Sequence, residues 1–276
     1  MRCPFCDHKK AHKHGVTSKG SERYRCPVCR KTFTETFDTI YYRRHLDCQE
    51  VHTILQSHAE GSSLRGVSRI SGRAYKTVVS LIRDASHKAQ LVHNAEVQQI
   101  KTTEVISDEM WSFVPKKQKQ CWPEELMAGD CWIGVSLAGD SGLILSARVG
   151  KHTHIFAEEL VNNTFGKTDC QNWKTDGWDA YSKVLLGAIN HEISKKKTQR
   201  LERTNGIIRQ QTGRWHRRQN KFTKVWQQTE VTARLVVGYF NWIWINSRWG
   251  TTAAQRAQLV EEDWYWDNFA FYPTLF

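Results

Sequence analysis

Long apolar runs are missing from this chain. None approaches the 18 residues or so that a membrane-crossing helix needs, and Met1-Arg2-Cys3 opens no signal-peptide pattern. The expectation is a soluble cytoplasmic protein with no membrane partner. Acidic side chains are also in deficit, with 28 Asp and Glu against 40 Lys and Arg and a formal net charge of +12. The basic residues come in clusters, so the expected partner is a polyanion, nucleic acid before any other. Internal repeats and low-complexity stretches are absent. Residues 1 to about 35 have too few large apolar side chains for a core of their own, so something else must hold them.

Cysteine supplies a candidate. Four of the eight cysteines stand in two C-P-x-C pairs, Cys3-Pro4-Phe5-Cys6 and Cys26-Pro27-Val28-Cys29, with 19 residues between them. Each pair lets two sulfurs reach one tetrahedral ion from a tight turn, and an intervening hairpin brings the second pair back. That is the pattern of a zinc ribbon with one structural Zn²⁺, in which metal affinity replaces the missing core. Cys48, Cys121, Cys131 and Cys170 show no ligand spacing.

Residues 62–81 then read as a helix, a turn at Gly72 and a second helix, with Val67 and Ile70 facing Val78 and Leu81. As a helix-turn-helix this segment would present Arg73, Tyr75, Lys76, Ser80 and Arg83 to a major groove. The alternative is a plain helical hairpin bridging two domains. From Thr103 the pattern changes to strands at 103–114, 131–138 and 142–150. A helix at 153–163, a strand at 172–175, a short helix at 179–186, a strand at 188–194 and a long helix from Thr198 follow. This alternation implies a mixed sheet flanked by helices.

Three acids sit on successive elements: Asp108 after a β-branched run in VISDEMWSF, Asp176 at the end of a short strand in NWKTDGWDA and Glu202 in the helical stretch TQRLERTNGIIRQ. Carboxylates from distant segments converging on two hard cations are what two-metal phosphoryl transfer requires, because Mg²⁺ takes oxygen ligands. Glu202 is the lone acid among eleven Lys and Arg from Lys195 to Lys224: Lys195, Lys196, Lys197, Arg200, Arg203, Arg209, Arg214, Arg217, Arg218, Lys221 and Lys224. On a helix Glu202, Asn205, Gly206, Arg209 and Gly213 share a face, so Arg209 is placed to hold a phosphate, and the other charges of this belt are expected to track a DNA backbone. Trp111 and Trp178 read as sheet-edge packing, His152, His154 and His191 as structural, and Asp140 as an ordinary acid in a hairpin turn. The aromatic tail reads as helical packing plus a protomer interface.

The chain resembles transposases of the insertion-sequence-one family. The likeness rests on the CPxC ribbon, the helix-turn-helix, Asp-Glu-x-Trp at Asp108, Thr-Asp-Gly-Trp at Asp176 and the string from Ile193 to Asn205 (Ile-Ser-Lys, then Thr-Gln-Arg-Leu-Glu-Arg-x-Asn). The resemblance implies a multidomain α+β protein with a ribonuclease-H-like catalytic core. Its DDE triad would map to Asp108, Asp176 and Glu202, with Arg209 as the basic residue seven positions after the Glu. It further implies two catalytic Mg²⁺, replaceable by Mn²⁺, double-stranded DNA of transposon ends and target as partner, a homo-oligomer, and residence at the bacterial or archaeal nucleoid. The expected layout is a zinc ribbon at 1–40, a helix-turn-helix domain at 45–88, a linker at 89–102, the catalytic domain at 103–246 and a tail at 247–276. DNA contacts are expected from Arg73, Tyr75, Lys76, Arg83, Arg203, Arg209, Arg214, Arg217, Arg218 and Lys221. The competing readings are a non-transposing nuclease with the same core and a zinc-ribbon DNA-binding regulator.

Overall fold

The structure, a computed structural model, describes residues 1–18, 20–194, 198–215 and 221–272. Lys195, Lys196, Lys197, Arg217 and Arg218 of the basic belt lie outside the described residues. The amino-terminal segment forms three short antiparallel strands in the order β1-β2-β3: His12–Val16, Glu22–Arg25 and Thr32–Thr34. Its core is as small as the composition requires, with Cys3, Cys26 and Phe33 buried together.

A second, much larger core runs from Ile40 to Ala270. Helix α1 (Cys48–Ala59) opens on a capping box between Asp47 and Glu50, α2 (Leu64–Ser71) is capped by the Ser63 hydroxyl, and α3 spans Tyr75–Glu96. Gly72 ends α2 in the left-handed region at φ 66°, as the turn demands. Val67, Val78 and Leu81 meet in the core, but Ile70 is 59% exposed and does not join them. An eight-residue helix offers only a narrow stripe to its neighbours, and Ile70 falls off it. The segment 89–102 is not a linker throughout. Helix α3 continues to Glu96, burying Ala89 and Val92 against the common core and packing on helix α7 (Trp226–Gly238). The tail packs inward too. Trp266 and Phe269 of α9 (Trp266–Phe271) are buried against α1 and α3, following the short α8 (Ala253–Arg256).

The central sheet has five strands: β4 (Val105–Val114), β5 (Gly129–Ala138), β6 (Ile144–Gly150), β7 (Asn172–Thr175) and β8 (Asn190–Ile193). Their order is β6-β5-β4-β7-β8. The β4/β5 and β5/β6 pairs are antiparallel, while β4/β7 and β7/β8 are parallel. Parallel neighbours need helical crossovers, supplied by α4 (His154–Phe165) and α5 (Asp179–Val184). Helix α6 (Gln199–Thr212) then crosses to β4 and ends at Gly213, at φ 57°. Asp140 is more than an ordinary turn acid. Its carboxylate accepts from Thr103 N at 2.6 Å, Thr103 Oγ1 at 2.7 Å and Thr102 Oγ1 at 3.1 Å, locking the β5–β6 turn to the start of β4.

Candidate active site

In the parallel pair β4/β7, Ser107 is the partner of Thr175. The next residue on each chain, Asp108 and Asp176, therefore emerges beside the other just where β7 ends. Strand β4 has an antiparallel neighbour on one side and a parallel one on the other, and such switch points open crevices at strand ends. Carboxylate oxygens of Asp108, Glu109 and Asp176 all lie within 4.8 Å of one another. Each acid is held separately. Trp178 N–H donates to Asp176 Oδ1 at 2.9 Å, Asn205 Nδ2 donates to Asp108 Oδ2 at 3.1 Å, and the Tyr181 hydroxyl donates to Glu109.

Two carboxylates about 5 Å apart repel by roughly 3 kcal/mol at an effective dielectric of 20. Burial first, then the negative charge of Glu109, pushes Asp108 up to about 6. Burial and the same charge raise Tyr181 well above its ordinary value, which keeps its proton available as a donor. Among the described residues no Lys or Arg forms an ion pair with Asp108, Glu109 or Asp176. The nearest basic group is His152, whose Nε2 lies 3.8 Å from Glu109. The donor set fits a hard divalent cation. It offers clustered carboxylate oxygens and, from α6, a buried Asn205 Oδ1 with no hydrogen-bond partner.

Helix α6 buries Leu201, Asn205, Ile208 and Thr212, a stripe that turns Asn205 toward Asp108. Glu202, three residues before Asn205, is exposed. Its Oε1 accepts from Thr198 Oγ1 at 3.1 Å, and it stands outside the acidic group. The sequence reading thus placed Asp108 and Asp176 together but missed Glu109 and Asn205. Both lay inside quoted motifs, Glu109 beside Asp108 and Asn205 at the end of the α6 string.

Trp178 packs in a stack, with His152 between it at 3.7 Å and Trp132 at 4.3 Å, so its packing role is met within the chain. His191 shares a 2.7 Å hydrogen bond with Thr175 Oγ1 at the base of the site.

The four ribbon sulfurs also lie within 4.8 Å of one another, with Cys3–Cys29 at 3.6 Å and Cys6–Cys26 at 3.5 Å. A tetrahedron of sulfurs 2.3 Å from zinc has edges of about 3.8 Å, so the set fits that ion. Each pair is followed by a left-handed residue, Asp7 at φ 57° and Arg30 at φ 58°, which curls the backbone around the sulfurs. Burial pushes the Cys26 thiol up, but the N–H groups of Cys29 and Val28 outweigh it and bring it down to about 7, favouring a thiolate.

The expected DNA-facing residues divide. Tyr75, Lys76, Arg83, Arg203 and Lys221 are exposed, and Arg209 is half-buried. Arg73 is engaged by Glu50, its Nε donating to Oε1 at 2.7 Å. Arg214 departs from an exposed belt: it is buried at the cleft described next, and its guanidinium donates to His58 O at 3.1 Å, Ser62 O at 2.8 Å and His58 Nδ1 at 3.3 Å, so these donors are engaged within the chain. Between the α2–α3 hairpin and the segment leading into α7 lies a cleft of about 440 Å³. Arg65, Arg83, Lys221 and Lys224 line it, and none of its lining residues is acidic.

Comparison with known proteins adds an independent line. The sequence model of the IS1 transposase family matches residues 102–244. Insertion element IS1 protein InsB of Shigella sonnei is 31% identical over 141 residues, covering 49% of this chain and 91% of that protein. Insertion element IS1 9 protein InsB of Escherichia coli K12 shows the same identity over 49% of this chain and 71% of its own length.

Proposed function

The chain belongs to the IS1 transposase family, and from that premise we propose that it binds the terminal inverted repeats of its insertion sequence and catalyses metal-dependent DNA cleavage and strand transfer. The observation that carries this reading is the β4/β7 register, which delivers Asp108 and Asp176 side by side at a sheet switch point, with no Lys or Arg ion-paired to them among the described residues. A ribonuclease-H-like core is supported by the sheet itself, three antiparallel strands continued by two parallel ones with helical crossovers.

Asp108 and Asp176 would hold the Mg²⁺ ions, with Mn²⁺ an acceptable substitute. Bound there, the metals supply charge stabilisation to the attacking and leaving oxygens of an in-line displacement. Asn205 fixes one oxygen of Asp108. Glu202, one turn earlier on α6, completes the acidic set when DNA is engaged, and Arg209 two turns beyond it takes a phosphate. Lys76, Tyr75 and Arg83 on α3 read the end sequence, while Arg203, Lys221 and the basic residues around the cleft follow the backbone. The four-cysteine ribbon holds one Zn²⁺ and braces the amino-terminal module on the ends.

The test is incubation of the purified chain with labelled element ends and Mg²⁺, mapping nicks and joined products. Asp108→Asn, Asp176→Asn and Glu202→Gln are each expected to retain end binding and to lose cleavage by orders of magnitude. Cleavage without joining would make the chain a non-transposing nuclease. End binding that survives with no cutting in any divalent metal would make it a regulator.

A further inference from the structure

We propose that Glu109 is a ligand of the divalent metal centre, set in place by Tyr181; this rests on Asp108 and Asp176 being the metal-holding pair. The Glu109 side chain is 3% exposed, so it is not a solvated surface acid. A carboxylate withdrawn from water to this degree requires a counter-charge or a full set of donors. The structure supplies one firm donor, the hydroxyl of the fully buried Tyr181, to Oε1. Oε2 lies 3.8 Å from His152 Nε2, longer than a hydrogen bond, and makes none among the described residues. His152 is itself stacked between Trp132 and Trp178, which fixes the imidazole ring.

Beside Glu109 stand two more carboxylates, Asp108 and Asp176, with ligand oxygens inside the same 4.8 Å group. Independently, Asn205 is fully buried, is bonded to Asp108 through Nδ2, and keeps an unpartnered Oδ1. Three acids and an orphaned carbonyl oxygen gathered where β7 ends form a shell of hard donors suited to a divalent cation. Strand β4 therefore contributes two consecutive ligands, and Tyr181 on α5 acts as the positioning residue that keeps the second from swinging away.

The experiment is titration of Mn²⁺ alone into the zinc-loaded full chain, read by calorimetry and by the electron-spin resonance of free Mn²⁺. Cleavage of element ends is measured in parallel. Glu109→Gln preserves shape and the Tyr181 contact, and is expected to weaken Mn²⁺ binding about 100-fold. Tyr181→Phe keeps the ring and the acid but removes the orienting donor, and is expected to cost about 10-fold, the scale at which partners of metal ligands act. An unchanged Mn²⁺ isotherm in Glu109→Gln overturns the proposal, and if that variant does not fold, an unchanged isotherm in Tyr181→Phe does so. Asp108→Asn separates the two readings. If it abolishes Mn²⁺ binding while Glu109→Gln does not, only Glu109 leaves the centre. If Asp108→Asn also binds and cuts normally, the centre itself has been misplaced.

Discussion

Arg214 offers the sharpest test of what the basic belt is for. Its guanidinium donates to His58 O, His58 Nδ1 and Ser62 O, clamping the end of α1 and the turn beyond it onto the end of α6. Hydrogen bonds to a charged group contribute about 1.5–3 kcal/mol each, so three contribute roughly 5–9 kcal/mol gross. Against this stands the cost of burying the cation. Desolvation lowers Arg214 from its ordinary value to about 10, a shift equivalent to about 3 kcal/mol. The difference leaves Arg214→Ala destabilising by about 2–6 kcal/mol. At roughly 2 °C per kcal/mol for a chain of this size, the melting temperature should fall by about 4–12 °C. A backbone-contacting residue behaves differently. Lys221→Ala should leave the melt unchanged and reduce the slope of log affinity against log salt by about 0.9. Calorimetric melts and DNA binding at a series of salt concentrations decide between the two. A wild-type melt for Arg214→Ala combined with a salt slope lowered by about 1 would refute the structural assignment.

Removing zinc with a chelator, or replacing Cys26 with Ser, should free residues before about 40 to limited proteolysis and weaken end binding. The separate core from Ile40 to Ala270 should keep its melt, and an intact ribbon in protein shown by metal analysis to contain no zinc would contradict this. Buried His93, whose Nε2 lies 2.9 Å from Leu145 O, is lowered to about 4, chiefly by desolvation. The unfolded chain then binds a proton near pH 6.5 that the native state refuses. Stability should fall by up to about 3 kcal/mol as pH drops from 6.5 to 4, and a His93→Gln variant with the same pH slope in urea melts would remove His93 as the cause. Asp140→Asn should cost about 1 kcal/mol, modest because the group is exposed, with no change in cleavage. A melt identical to wild type would show that the Thr102 and Thr103 contacts contribute nothing.

The strands and helices from Thr103 to the start of α6 were legible because their signals are local: β-branched runs and a Thr-Asp-Gly turn closing β7. The length of α3 was not. Its later half buries Ser86, Lys88 and His93 beside Ala89 and Val92, which blurs the contrast between apolar and polar faces by which an amphipathic helix is recognised. Lys88 donates to Asp38 O at 2.8 Å and His93 Nε2 reaches Leu145 O, contacts distant in sequence that no local pattern announces. Arg214 misled for the same reason. Amid so many neighbouring cations its charge read as part of a surface, whereas its three acceptors lie more than 150 positions earlier in the chain.

The acidic centre was half legible, and the dividing line is physical. Asp176 follows the end of β7, which a Thr-Asp-Gly turn announces, and Asp108 lies within β4 at the level where β7 stops, so their meeting depends on strand signals that are local. What α6 presents to them depends on rotation about a helix axis, and a helix carrying adjacent Ile207 and Ile208 leaves that rotation open. The fold resolves it by burying Leu201, Asn205, Ile208 and Thr212, placing a polar amide at a fully buried position. A buried amide in that stripe costs stability unless the group it faces uses it, and Asp108 does. Local rules break where function requires it, so the residue that violates the pattern of α6 is the one that reaches the site. The same reasoning applies to Glu109. On an interior strand an acid should be Val or Ile, and the presence of Glu109 beside Asp108, with Tyr181 fitted to it, follows if this point of the sheet is built to hold a cation.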